Sequence, residues 1–302
     1  MNASFAKALE AAHDAAAQQH YPQAALYMVA TPIGNLADIS LRALHVLQLA
    51  DTVACEDTRH TQILLRAYGI AKSSQQTLAV HQHNEAEAAQ QVIARLQAGA
   101  RVAYVSDAGT PAISDPGARL AAAVRATGLR VVPLPGASSV TTALSACGAV
   151  APGDEAASFV FAGFLPSRSA PRQSALATLA LESRTVVLLE APHRIEALAQ
   201  DLAGLGERWV TLGRELTKQF EQISTVAAHQ LSTWLGADPQ RTRGEFVVVL
   251  HPFAVTEKSG DGERILKLLL AELPLKTAVK LAADITGDAK NALYERALAL
   301  KA

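Results

Sequence analysis

From residue 26 onward, short apolar runs at 26–30, 52–55, 77–80, 101–105 and 130–134 alternate with stretches of helical periodicity. Alternation of this kind implies right-handed crossovers, which build a mainly parallel sheet covered by helices. Such a sheet brings the carboxyl ends of its strands to one edge, and in open α/β sheets ligands bind there. An unusual turn follows each run: Thr31-Pro-Ile-Gly-Asn35, Glu56-Asp-Thr-Arg-His60, His81-Gln-His-Asn84, Ser106–Pro111 and Pro133-Leu-Pro-Gly-Ala-Ser138. All of these turns are expected to converge on one site.

The turn after residue 105 is the most informative. In Ser106-Asp-Ala-Gly-Thr110 a glycine among small neighbours lets a ligand approach the backbone, and Asp107 offers a carboxylate at a strand end. Asp115 is suited to cap the following helix, with Pro116 at its first helical position. The helix over 84–97 is well marked, because Asn84 and Glu87 stand at capping-box spacing and Gly99 lies just past its end.

A chain of 302 residues is long enough for two domains. Pro152-Gly153-Asp154 reads as a linker, followed by strand-like runs at 158–161, 185–190, 209–213 and 245–251 with helical stretches at 170–181 and 192–203. Their irregular spacing predicts a mixed sheet. Beyond Phe253, a polar stretch at 257–262 leads into short helices at 263–273, 275–286 and 290–300. The last two resemble a helix-turn-helix with Gly287 at the turn, and Lys276, Lys280, Lys290, Arg296 and Lys301 form a candidate phosphate-facing stripe. Solvated lysines on an ordinary appendage are the competing reading. The expected fold class is therefore α/β: an Ala-rich, loosely helical extension over 1–25, an α/β domain over 26–151, a second over 152–253 and a helical appendage over 254–302.

Hydrophobic residues make up 50% of the chain and charged residues 18%, as suits buried α/β layers. A formal net charge of −1 steers neither nucleic acid nor a membrane, so any RNA binding requires a local patch. Cys55 and Cys147 are too few for a disulfide framework or a zinc cluster, which points to a reducing cytoplasm. No apolar run reaches the roughly 18 residues of a membrane span, and acidic residues and histidines in 1–25 argue against a secretory signal. Neither Gly-x-Gly-x-x-Gly nor a P-loop is present in the first half. The proline-rich turns instead offer rigid walls with main-chain donors and acceptors, suited to a neutral adenosine and an amino-acid zwitterion.

Glu56-Asp-Thr-Arg-His60 is denser in ionisable groups than a helix cap requires, since Asp57 or Thr58 alone would serve. His81 and His83 with Asn84 and Glu85 lack the spacing of a metal set, and no metal is expected. Glu190-Ala-Pro-His-Arg194 and Arg214-Glu-Leu-Thr-Lys218 each set cation beside carboxylate. Two readings stay open for them: satisfied surface ion pairs, or arginine forks for phosphates.

Together, Thr31-Pro-Ile-Gly-Asn-Leu36, Glu56-Asp-Thr-Arg-His60, Ser106-Asp-Ala-Gly-Thr-Pro111, Glu190-Ala-Pro-His-Arg194 and Arg214-Glu-Leu-Thr-Lys218 resemble the ribosomal RNA small-subunit methyltransferase I family, within the tetrapyrrole-methylase-like group. The resemblance runs from about residue 26 to the C-terminus, while residues 1–25 match nothing in it. It implies S-adenosylmethionine (SAM) as cofactor, held in a cleft between two α/β domains, and 2′-O-methylation of a cytidine ribose in the decoding region of 16S rRNA. It also implies a cytoplasmic homodimer acting on 16S rRNA or the small ribosomal subunit, with no DNA or membrane partner. Carried over by position, Thr31, Pro32, Gly34, Ser106, Asp107, Ala108, Gly109, Thr110, Pro135, Gly136 and Ser138 would line the cofactor pocket. Candidate bases are Glu56, Asp57, His60, His83 and Glu190, among which the sequence does not choose. Candidate RNA contacts are Arg59, His193, Arg194, Arg214, Lys218, Lys276, Lys280 and Lys290. The rivals are a tetrapyrrole methyltransferase of the same fold and a non-catalytic RNA-binding assembly protein.

Overall fold

A computed structural model describes residues 5–81, 83–150, 158–253 and 260–300. The linker expected at Pro152-Gly153-Asp154, residues 257–259 of the polar stretch, and Lys301 lie outside them. The chain divides into two compact units, residues 1–253 and 254–302.

In the first half of the larger unit the elements run α1 (Ala6–Ala16), β1 (Ala25–Val29), α2 (Leu41–Leu49), β2 (Thr52–Cys55), α3 (Thr58–Ala67), β3 (Thr77–Ala79), α4 (Glu85–Gln97), β4 (Arg101–Val105), α5 (Gly117–Ala126), β5 (Arg130–Leu134) and α6 (Ser139–Ala146). The strands form one sheet in the order β3-β2-β4-β1-β5, and every pair is parallel. Helices cover both faces, so β1, β2 and most of β4 are buried and read as continuous apolar runs. Pro133 is accommodated in β5 because that strand is an edge.

Three local expectations are corrected. Helix α1 is not loose: Ala12 and Ala16, one turn apart, are buried in the cluster that includes Ala43 and Leu47 of α2, and Phe5 meets Tyr68 edge-on at 5.1 Å. Alanines on one stripe let two helix backbones approach closely. Asn84 makes no capping box, because its Oδ1 accepts from the His81 N–H at 2.8 Å and its amide donates to the Ala79 carbonyl at 3.0 Å. Pro116 sits at the N-cap of α5 instead of its first helical position, and Asp115, one residue earlier, accepts from the Gly117 N–H at 2.6 Å.

In the second half, β6 (Phe159–Phe164), α7 (Ser169–Ala180), β7 (Thr185–Glu190), α8 (Ile195–Leu202), β8 (Trp209–Arg214), β9 (Gln222–Ala227), α9 (Leu231–Gly236) and β10 (Phe246–Leu250) follow. The sheet is mixed, in the order β6-β7-β10-β8-β9, with β6 and β7 parallel and the other pairs antiparallel. Val140, Ala143 and Cys147, from α6 and its end, pack on Val187, Val247 and Val249, with Ile33 against the same cluster. The helix that leaves the fifth turn therefore binds the two sheets together, and the turns face the second sheet.

The smaller unit holds α10 (Gly260–Glu272), α11 (Leu275–Thr286) and α12 (Lys290–Ala299) around Leu266, Val279, Ala282, Leu293 and Ala297. Gly287 closes α11 in the left-handed conformation, φ 76°.

Candidate functional site

Because β1 to β5 are all parallel, the five turns share one sheet edge, and side-chain and main-chain bonds stitch four of them together. Thr31 and Gly109 exchange a pair of main-chain hydrogen bonds at 3.0 Å, and Thr110 Oγ1 donates to the Ala137 carbonyl at 2.9 Å. The Asp57 N–H donates to Asp107 Oδ1 at 3.3 Å. Gly109 has φ +82°, and both its N–H and its C=O are taken by Thr31, so this glycine shapes the turn and offers no free main-chain polar group to a ligand.

These turns wall a cavity of about 370 Å³ between the two sheets. From the first half come Ile33, Glu56, Ser106, Asp107, Ala108, Gly109, Thr110, Ile113, Ser114, Asp115, Ser138 and Ser139; from the second, Phe164, Leu189–Pro192, Gly213, Leu216 and Glu245–Val247. Thr31, Pro32, Gly34, Pro135 and Gly136 are not among the lining residues. Thr31 and Gly136 act from behind: a Cβ on Gly136 would meet the Ala30 Cβ at 2.8 Å, so a glycine is needed where these two turns touch.

Among the candidate bases, Glu56 and Glu190 line the cavity, whereas Asp57, His60 and His83 do not. Asp57 is the N-cap of α3, accepting from the Arg59 N–H at 2.8 Å while its carboxylate takes the Arg59 guanidinium. Those hydrogen bonds hold its pKa well below the usual carboxylate range. His60 stands 3.9 Å from Asp107 and exposed, and His83 donates its N–H to His81 Nδ1. Glu56 is different, because burial and the nearby charges of Asp107 and Asp115 push its pKa up to about 7.

Two carboxylate oxygens in the lining are buried without a hydrogen-bond partner: Asp115 Oδ2 and Glu190 Oε2. Their sister oxygens are engaged. Asp115 Oδ1 accepts from Gly117 and, at 3.3 Å, from the Tyr104 hydroxyl; Glu190 Oε1 accepts from the Ala191 N–H at 2.9 Å. The sequence reading gave Asp115 only a capping role, and it missed the apolar wall of Phe164, Leu189, Leu216, Phe246 and Val247. Nothing in a strand-end leucine or valine distinguishes a wall from a core.

Most arginines expected to face RNA are already engaged. Arg194 Nε lies 3.0 Å from Glu190 Oε1, as an ion pair poorly aligned for a hydrogen bond, while Nη2 donates to the Leu165 carbonyl at 2.6 Å. Arg214 donates to Gln222 Oε1 and to the carbonyls of Arg243 and Phe220, and Lys218 pairs with Glu215 and Glu245, each at 2.9 Å. Arg59 holds Asp57, and His193 is exposed. Lys276, Lys280 and Lys290 are exposed on α11 and α12. Arg194→Ala would leave the fully buried Glu190 carboxylate unpaired, so the expected result is a loss of about 3 kcal/mol in urea unfolding. Unchanged stability with weakened RNA binding would return Arg194 to the surface-contact role.

Two opposed α/β halves thus enclose a ligand-sized cleft at the strand edge. The family model Tetrapyrrole (Corrin/Porphyrin) Methylases matches residues 25–232, and RsmI C-terminal HTH domain matches residues 256–301. Cobalt-precorrin-4 methyltransferase superposes with TM-score 0.56 at 19% identity, covering 75% of this chain and 94% of that one. Uroporphyrin-III C-methyltransferase of Thermus thermophilus, solved with S-adenosylhomocysteine, gives TM-score 0.52 at 17% identity over 74% of this chain and 96% of that one. Ribosomal RNA small subunit methyltransferase I of Escherichia coli O157:H7 is 48% identical over 280 residues, 91% of this chain and 95% of that protein. The chain belongs to the ribosomal RNA small subunit methyltransferase I family.

Proposed function

We propose that the chain methylates small-subunit ribosomal RNA with SAM, at the 2′-hydroxyl of a cytidine in the decoding region of 16S rRNA, as a cytoplasmic homodimer with domains at 26–151 and 152–253. The observation that carries this reading is a cleft lined by Glu56, with a pKa near the pH of work, and by two buried carboxylate oxygens that lack donors. SAM fits that donor set: its ammonium, exocyclic amine and ribose hydroxyls are donors, and Asp115 Oδ2 and Glu190 Oε2 are acceptors in want of them. When bound, SAM supplies a methyl group activated by its sulfonium. Ser106–Thr110 and Ser138 would hold it, with the apolar wall excluding water.

The remaining chemistry falls to the protein. A ribose hydroxyl is a poor acid, so a base must take its proton as the oxygen attacks, and the ideal base has a pKa near the operating pH. Glu56 meets that condition. Alignment of the hydroxyl with the methyl supplies the rest of the acceleration. The tetrapyrrole rival is disfavoured by the 48% identity to a ribosomal RNA enzyme against 19% or less for the two porphyrinoid methyltransferase structures compared above. The non-catalytic rival leaves Glu56 and the two orphan oxygens without a purpose.

Calorimetry with SAM, followed by transfer of tritiated methyl to undermethylated small subunits, naked 16S rRNA and a porphyrinogen, tests all three. Expected are SAM binding and label recovered as 2′-O-methylcytidine. Label in the porphyrinogen, or no SAM binding at all, would reject the proposal.

A further inference from the structure

Beside the cleft lies a second cavity of about 480 Å³, lined by Arg214, Glu215, Phe220, Gln240, Arg243 and Gly244. The two cavities are close along the chain, because Leu216 and Glu245, the neighbours of Glu215 and Gly244, line the first. One rim is the 215–221 turn between β8 and β9, in which Glu215 and Thr217 adopt left-handed conformations at φ 52° and 67°. Non-glycine residues persist there only where the surroundings over-determine the chain.

The tethers that do so are visible. Arg214 donates to the carbonyls of Phe220 and Arg243, at 3.2 and 3.3 Å, and so joins both rims. Glu221 accepts from the Thr217 N–H at 2.6 Å, and Lys218 bridges Glu215 to Glu245. The opposite rim carries Gln240 in the turn Pro239–Thr242, which is pinned by Arg241: its guanidinium lies 4.4 Å from the Trp234 ring centroid and donates to the Trp234 carbonyl. The bracing seats Leu216 in the core, and it also fixes the exposed side of the turn. Its result is a Phe220 ring held 68% exposed at the cavity mouth, beside an exposed Arg243.

We propose that this cavity receives an unpaired nucleotide of the RNA substrate, flanking the one that is methylated. The base stacks on Phe220, the phosphate pairs with Arg243, and the Gln240 amide, able to donate and accept, meets the base edge. Single-stranded RNA is gripped by this combination of aromatic face and cation. The Glu215 charge is offset by Arg214 and by Lys218, which it shares with Glu245. The inference rests on the RNA reading of the neighbouring cleft.

The test measures KM for undermethylated small subunits, SAM affinity by calorimetry and the salt dependence of subunit binding, in the parent and in Phe220 and Arg243 variants. Phe220→Ala and Phe220→Leu should each raise KM about tenfold, Phe220→Trp should restore it, and SAM affinity should not move. Arg243→Ala should lower the salt slope by about one. A Phe220→Leu variant with the parent's KM would overturn the stacking role. So would a lower sedimentation coefficient for Phe220→Ala than for the parent, which would assign the ring to a second copy of the chain. If the RNA reading itself fails, the parent labels no subunit; if only this inference fails, the parent is active and the variants match it.

Discussion

Glu56→Gln is expected to lower single-turnover methyl transfer by about 10² to 10⁴, the range by which a positioned general base contributes. The substitution keeps size while removing the charge and the ability to accept a proton. In the parent, the carboxylate is the working form and its pKa is about 7, so transfer should rise with pH through 7 and level off above it. The variant should show no such rise. Stability separates this from misfolding. A Glu whose pKa is raised on folding lends stability below its unfolded pKa and loses it as pH climbs through the folded value. The uncharged glutamine avoids that loss, so the variant should unfold at the same or a higher urea concentration than the parent at pH 8. A flat parent profile between pH 5.5 and 8.5, or a variant keeping more than about a tenth of the rate, would remove Glu56 from the reaction.

That Glu56 and not Asp57 carries this expectation was invisible in the sequence. The two carboxylates are adjacent, and although Asp57 was readable as one of two candidate caps, only the fold chooses it for α3 and buries Glu56 beside Asp107 and Asp115. The sheet was legible for the opposite reason. Strands covered on both faces must be apolar throughout, so β2, β4 and β7 stand out at the residues where the runs begin and end. Strand β9 escaped, being a half-exposed edge in which Ile223 and Thr225 face out and Ser224 does not. Glu190 and Arg194 show an intermediate case. Their spacing left an ion pair and a phosphate fork both open, and the fold buries the carboxylate at 3.0 Å from Arg194, so the two are paired in the free protein.

A chain ending at Phe253 should bind SAM with the parent's affinity and lose methyl transfer to small subunits. The cut falls after a residue still tied into the second sheet's surroundings, since the Phe253 N–H donates to the Ser183 carbonyl. The four apolar clusters of the larger unit are built from residues before it, while α10 to α12 bury Leu266, Val279 and Ala282 among themselves. Each part therefore has a core of its own. What the truncation removes is charge in a useful arrangement. Lys276 and Lys280 stand one turn apart on the exposed side of α11, and Lys290 opens α12. A net charge of −1 offers no general attraction to replace them. Three phosphate contacts correspond to a salt slope of about 3, so the loss should exceed tenfold at physiological salt, grow as salt is lowered and shrink as it is raised. Parent-like methylation by the truncated chain would make the helices a passive appendage. Loss of SAM binding in a folded truncation would instead assign them to the cofactor cleft.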